Sequence, residues 1–110
     1  MQYAKTYLQK AAGLMFRAKP PDGGLLMVFR TEGCHGIWMP FMRFPIDIAF
    51  YGKNSRLIST IRNAEPISLN PKTWRVYRPE RPCKYILETA VGAKKPKKLP
   101  KSDTESFINP

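Results

Sequence analysis

Apolar and polar positions change their spacing twice along the chain, and the changes divide it into elements. Ala4, Tyr7, Leu8, Ala11, Ala12, Leu14 and Met15 recur at helical spacing, with Lys5, Gln9 and Lys10 between them, which predicts one amphipathic helix over 4–16. The paired prolines and glycines of "KPPDGG" end it and release the chain into Leu25–Arg30, a compact apolar run of strand length. "TEGCHG" reads as a loop. In "GIWMPFMRFPIDIAF", Pro40 and Pro45 lack amide donors, so 40–45 is not a central strand, whereas Ile46–Tyr51 is strand-like. "GKNS" turns that strand into "RLISTIR", whose alternation makes the clearest hairpin of the sequence. Beyond the loop "NAEPISLNPK", the runs "TWRVYR" and "CKYILE" are short and β-rich, and Trp74, Arg75, Val76 and Arg78 suggest one wet face. One helix followed by about six short strands predicts an α+β fold: a barrel-like antiparallel or mixed sheet with the N-terminal helix packed on it.

Length narrows this to a single domain spanning all 110 residues. No apolar run approaches the roughly 20 residues that cross a bilayer, and the first residues lack a signal-peptide pattern, so the expected location is the cytoplasm.

Charge adds a functional direction. The formal net charge is +11, and it is lopsided: 6 basic and 3 acidic residues in the first 50 positions, 13 and 5 in the remainder. Such a field raises encounter rates with nucleic acid, anionic lipid or acidic protein, and serves equally as a solubilising surface. The lysines between Lys94 and Lys101, broken by Pro96 and Pro100, read as a solvated loop.

Candidate chemistry is sparse. Cys34 and Cys83 lie far apart and form no C-x-x-C pair, leaving two free thiols or one structural disulfide as the alternatives. The single histidine, His35, adjoins Cys34, and sequence neighbours do not readily face each other as a nucleophile and its base. One histidine and no Asp-x-Asp loop exclude the usual metal motifs, and no Gly-rich phosphate loop calls for a nucleotide cofactor. Asp47 lies between Ile46 and Ile48, and Glu88 ends "YILE", so both are candidates for burial. Meeting each other they would form an acid/base pair for a small hydrolase-like enzyme; otherwise each needs a cation, Arg17 or Arg43 in the case of Asp47.

"GLMFR", "GGLLMVF", "IWMPFMRFPIDIAFY" and "KYILETAVG", in this order and spacing, resemble the domain of unknown function 192 family of bacteria and archaea, from about Ala4 to Phe107. The resemblance implies a compact, strand-dominated single domain and brings no activity with it. Many members carry Lys-Asn-Thr just after the tryptophan and methionine, where this chain has Pro40-Phe41-Met42 followed by Arg43. The family's Gly-Asp near the C-terminus corresponds to Ser102-Asp103, which implies a turn and a closing strand around Glu105 to Ile108.

Two surfaces follow as candidates. Trp38, Met39, Met42, Arg43, Asp47 and Glu88 could line a cleft for an anionic ligand or acidic partner: Arg43 would neutralise the anion, Trp38 and the methionines hold its apolar part, and Asp47 orient Arg43. The alternative for the aromatics Trp38, Phe41, Phe44 and Phe50 is the core. Trp74, Arg75, Tyr77, Arg78, Arg81, Lys84 and Tyr85 interleave aromatic and basic residues, as a nonspecific nucleic-acid surface does. A non-catalytic binding module is the reading the sequence favours over the enzyme.

Overall fold

The computed structural model of the chain describes residues 2–4, 13–39 and 41–100. Seven strands run through them: β1 (Gln2–Ala4), β2 (Leu25–Gly33), β3 (Ile37–Trp38), β4 (Ile46–Tyr51), β5 (Leu57–Ala64), β6 (Val76–Tyr77) and β7 (Cys83–Thr89). Five form one mixed sheet in the order β1-β2-β7-β4-β5, while β3 and β6 pair only with each other. β1 lies parallel to β2, and every other pairing is antiparallel.

The predicted α+β, barrel-like architecture is corrected in two respects. First, there is no α-helix among the described residues. Ala4, the expected first residue of the helix, pairs with Met27 as part of an edge strand. Gly13–Phe16, its expected end, is a turn in which Gly13 and Phe16 both have positive φ (49° and 66°). A partner strand satisfies the backbone of Gln2–Ala4 whatever the apolar spacing suggests, and tertiary pairing outranks propensity; residues 5–12 lie outside the described ones. Second, the sheet does not close: β1 and β5 are its two edges, and β3 and β6 stand apart as a ribbon instead of bridging them.

The strand predictions hold over the middle of the chain. The hairpin joins β4 to β5 through a turn in which Gly52 N donates to Arg56 O (3.0 Å) and Ser55 N to Gly52 O (2.8 Å). β2 runs on through Thr31, Glu32 and Gly33, which read as loop, and only Val76 and Tyr77 of "TWRVYR" are strand. A 3-10 turn at Pro71–Thr73, capped by Asn70, takes the residues before them.

β4 lies between β7 and β5 and is buried along its whole length, which explains its nearly unbroken apolar sequence. Its alternate residues feed two cores. Ile46, Ile48 and Phe50 join Leu25, Met27, Ala64 and Ile86 on one face, covered by the segments that carry Leu14, Ile37, Met39 and Tyr77. Ala49 and Tyr51 join Leu26, Val28, Tyr85 and Leu87 on the other face, covered by Leu99.

The lysine run is what lays Leu99 there. Leu57 N donates to Lys97 O, Leu99 N to Ser55 O (both 2.8 Å) and the Tyr51 hydroxyl to Pro96 O (2.7 Å), so residues 90–100 form a strap fastened across the second face. The closing strand expected around Glu105 to Ile108 lies outside the described residues.

Candidate functional site

The six residues of the expected anion cleft do not converge. Met39 is buried in the first core at 1% exposure, and Met42 packs half-buried against it. Trp38 is 60% exposed on the ribbon, and Arg43 is exposed with no ion pair among the described residues. Asp47 and Glu88 are both buried, at 2% and 3% exposure, but not together. In the β4–β7 register Asp47 stands opposite Thr89 and Glu88 opposite Ile48. Cross-strand partners share a face and successive residues alternate, so the two carboxylates point to opposite sides of the sheet. The acid/base pair expected of a hydrolase-like enzyme is therefore not formed.

Asp47 is answered by Lys95, not by Arg17 or Arg43. Lys95 Nζ lies 2.5 Å from Oδ2, which also accepts the Gly92 amide (2.9 Å), while Oδ1 accepts the Asn63 amide (2.8 Å). Burial alone would push this carboxyl up, but the ammonium and the two amides outweigh it and hold the group below its ordinary range. The bulge between Ile46 and Ile48 in the β4–β5 register, with Asn63 at a φ of 54°, delivers the Asn63 amide. Asp47 thus serves as the buckle of the strap.

Glu88 faces the first core beside Ile48 and Leu25. Burial lifts its carboxyl to about 7, against the pull of the Arg17 guanidinium. Arg17 itself donates to Gln2 Oε1 (2.6 Å), and it is carried there by the turn whose Phe16 amide bonds the Phe41 carbonyl (2.9 Å). Phe16 and Phe41 stack with centroids 5.1 Å apart and are 68% and 65% exposed, so Phe41 is not core; of the remaining aromatics Phe50 is fully buried and Phe44 half-buried.

The cysteines are free thiols, Cys34 exposed and Cys83 buried. Burial pushes the Cys83 thiol up to about 11, more than the His35 amide pulls it down, which removes its nucleophilicity at neutral pH. His35 stacks on Phe29 (3.8 Å between centroids) and its Nε2 donates to Thr31 O (2.9 Å), a structural placement. Among the described residues no three His, Cys, Asp or Glu side chains come together to hold a metal ion, and no helix is long and apolar enough to cross a membrane.

The expected nucleic-acid set fares differently, because the ribbon gathers part of it. Trp38 pairs in register with Val76, and both side chains lie outside, at 60% and 44% exposure, while their neighbours Ile37 and Tyr77 turn into the core. Gly36 leaves room for this face: a Cβ there would stand 2.5 Å from Val76 Cγ1 and 3.4 Å from Arg78 Nη1. Arg78 is held by a bond from Nη1 to Cys34 O (3.2 Å), and Arg75 lies 4.6 Å over the Tyr77 ring. Trp74 is 59% exposed, its indole N–H anchored on Ser68 O (2.7 Å). Lys84 belongs elsewhere, on the main sheet above Tyr85 (5.8 Å).

A family model described as Uncharacterized ACR matches residues 1–105. The chain belongs to the DUF192 family. Its DUF192 relatives include the UPF0127 protein of Pyrococcus furiosus, 33% identical over 84% of this chain and 72% of that one. The UPF0127 protein of Pyrococcus horikoshii is 30% identical over 86% and 75%. Two solved structures share the DUF192 chain's fold at a TM-score of 0.72 each. One, from Sinorhizobium meliloti and described as a candidate transcription regulator, is 25% identical over 82% of this chain and 67% of its own. The other, from Novosphingobium aromaticivorans and of unknown function, is 27% identical, and this chain spans 61% of it.

Sequence reading of this DUF192 chain missed one concavity. An open groove of about 490 Å³ lies beside the β4–β5 turn, with Lys53, Arg56 and Arg81 among its lining. The signal was weak because Lys53 and Arg56 flank an ordinary turn and Arg81 arrives from 25 residues later in the chain.

Proposed function

We propose that this DUF192 protein is a non-catalytic binding module for an anionic partner, and that the partner is single-stranded nucleic acid held on the outer face of the β3–β6 ribbon. The observation that carries the reading is the register pair Trp38 and Val76, exposed side by side with Arg78 next to Val76 and Arg75 held over the neighbouring Tyr77 ring. The indole, 60% exposed on the outer side of a strand whose inner side is core, lies open to solvent with an exposed valine beside it. Bases stack on such indoles regardless of sequence, at roughly 1–3 kcal/mol per base, and arginines beside them neutralise the backbone. The net charge of +11 supplies the long-range attraction. The candidate-regulator description of the Sinorhizobium meliloti neighbour points the same way.

An anionic small molecule is less well served, because the six residues expected to enclose it do not converge. The test is fluorescence anisotropy of a labelled oligothymidine at low salt, with quenching of tryptophan emission as a second readout. Micromolar or tighter binding, weakened about fivefold or more by Trp38→Ala with the melting temperature unchanged, is the expected result. No binding at low salt, or binding indifferent to Trp38, overturns the reading.

A further inference from the structure

A second surface, separate from the ribbon's aromatic face, is built for a compact anion. The groove beside the β4–β5 turn draws Lys53 and Arg56 from the turn and Arg81 from the connection between β6 and β7, with Leu57, Ile58 and Pro82 among its apolar lining. Among the described residues none of the three cations has a carboxylate partner, the one ion pair being Lys95 with Asp47. The single acid of the lining, Glu32, is committed: its Oε2 accepts the Lys53 amide (2.9 Å). Three cations brought together against one carboxylate repel each other, and a multivalent anion relieves that repulsion.

The turn is also fixed before any ligand arrives. Gly52 N donates to Arg56 O (3.0 Å), Asn54 Oδ1 accepts the Arg56 amide (3.0 Å), and Ser55 O takes the Leu99 amide (2.8 Å) from the strap. A Cβ at Gly52 would meet Asn54 Oδ1 at 3.1 Å and Glu32 Oε2 at 3.5 Å, so the glycine lets these side chains close over the turn. The strap braces the turn as well, because Lys97 O accepts the Leu57 amide and Lys98 bridges Arg56. Two of the three cations, Lys53 and Arg56, therefore ride on a backbone already held by hydrogen bonds, which spares binding the cost of ordering the turn.

We propose that this groove binds a phosphoryl group. Two guanidinium forks match the geometry of phosphate oxygens, a lysine adds a point charge, and the local excess of two positive charges suits a dianion. The volume of about 490 Å³ admits more than the phosphoryl group itself, so the rest of the ligand rests on Leu57, Ile58 and Pro82. The source of the phosphoryl group is either a phosphorylated small molecule or the terminal phosphate of a nucleic acid.

The experiment is an amide chemical-shift titration with inorganic pyrophosphate at constant ionic strength, comparing wild type with Arg56→Ala/Arg81→Ala, Trp38→Ala/Trp74→Ala and, as a control, Lys19→Ala. Saturable shifts centred on Gly52, Asn54 and Arg56 are expected. The arginine double variant should lose about tenfold or more in affinity with its melting temperature unchanged, the other two nothing. A 5′-phosphorylated oligonucleotide that displaces pyrophosphate where its 5′-hydroxyl counterpart does not assigns the groove to a nucleic-acid end. Pyrophosphate displaced by neither assigns it to a small phosphorylated molecule. Shifts that never saturate, that sulfate reproduces at equal ionic strength, or that survive loss of both arginines overturn the proposal. Because the tryptophan variants keep the groove intact, failure here is distinguishable from failure of the ribbon to bind nucleic acid.

Discussion

Asp47 and Glu88 stand one register step apart on neighbouring strands, and the pleat sends them to opposite faces of the sheet. That one-residue offset decides what each can be. Asp47 reaches the face crossed by the strap and finds an ammonium and two amides; Glu88 reaches the face filled with isoleucine and leucine, where among the described residues the Arg17 guanidinium is the cation that acts on it. Their carboxyl groups accordingly move apart, one held below its ordinary range and the other raised to about 7. In a shared pocket such divergence would mark an acid and a base. Across a sheet it marks a fastening and a carboxyl that burial pushes up.

The fastening is testable by removing either half. Asp47→Ala strands Lys95, whose side chain is 10% exposed, and leaves the Asn63 and Gly92 amides without their acceptor. Losing one member of a buried pair costs about 3 kcal/mol, a fall in melting temperature on the order of 15 °C for a domain of this size. Lys95→Met leaves the carboxylate its two amides and should cost about 1 kcal/mol. Because the Asp47 carboxyl is depressed on folding, its contribution is present above the unfolded value of 3.8 and is lost as pH falls through the folded one. Thermal melts of Asp47→Ala should therefore lose part of the wild type's acid sensitivity below about pH 4.

Glu88 makes the opposite prediction. Its folded value of about 7 lies above the ordinary 4.5, so the folded state holds a proton that the unfolded chain has released, and stability declines as pH rises between those values. Above about 7 the decline is complete. Glu88→Gln keeps the shape without the charge. It should match wild type near pH 4 and be more stable by roughly 3 kcal/mol at pH 8, read from urea midpoints at the two pH values. A variant no more stable at pH 8 than wild type would show that Arg17 offsets the burial.

Legibility in the sequence tracked how local the determining interaction was. The β4–β5 hairpin was plain because its alternation and its turn lie within about twenty residues. The burial of Asp47 and Glu88 was equally plain, since each interrupts an apolar run. Their partners were not: Lys95 comes from a run that reads as solvated, and only the strap's bonds to Ser55, Leu57 and Tyr51 bring it under the sheet. The first strand was misread because three residues carry no period of their own, and Ala4 fits a helical stripe as well as it fits a β-bridge to Met27. The ribbon lay between these cases. Trp74, Arg75 and Arg78 were visible as an interleaved set, whereas Trp38, a pattern match for core, is exposed because its strand is two residues long and pairs with nothing beyond β6.

Two glycines with almost the same φ should respond differently to alanine. Gly24 and Gly92 have φ of 88° and 86°, so a side chain is strained at either position. At Gly24 the added Cβ would lie 2.6 Å from the Glu88 carbonyl oxygen, within the β2–β7 ladder, while at Gly92 it would meet nothing within 4 Å. Gly92→Ala should cost about 1 kcal/mol, the conformational penalty alone. Gly24→Ala should cost about 3 kcal/mol or more, because backbone must move to relieve the contact. Denaturant unfolding of the two variants gives the comparison directly, and equal costs would mean that the β2–β7 junction yields.

The ribbon's two kinds of residue should separate in a salt titration. If single-stranded nucleic acid lies across Trp38 with its backbone against Arg75 and Arg78, log affinity falls linearly with log salt, at about −0.7 per phosphate neutralised. Replacing Arg78 with alanine removes a phosphate contact, which should lower affinity at every sequence tested and make the slope shallower by roughly that amount. Trp38→Ala removes stacking, which releases no counterion, so affinity should drop while the slope stays at its wild-type value. Arg75 is the informative intermediate. Its guanidinium already lies over the Tyr77 ring, so Arg75→Ala should reduce the slope less than Arg78→Ala if that contact holds the charge away from the backbone, and equally if it only orients the fork. A slope unchanged in both arginine variants, with affinity intact, would remove the backbone path from this face.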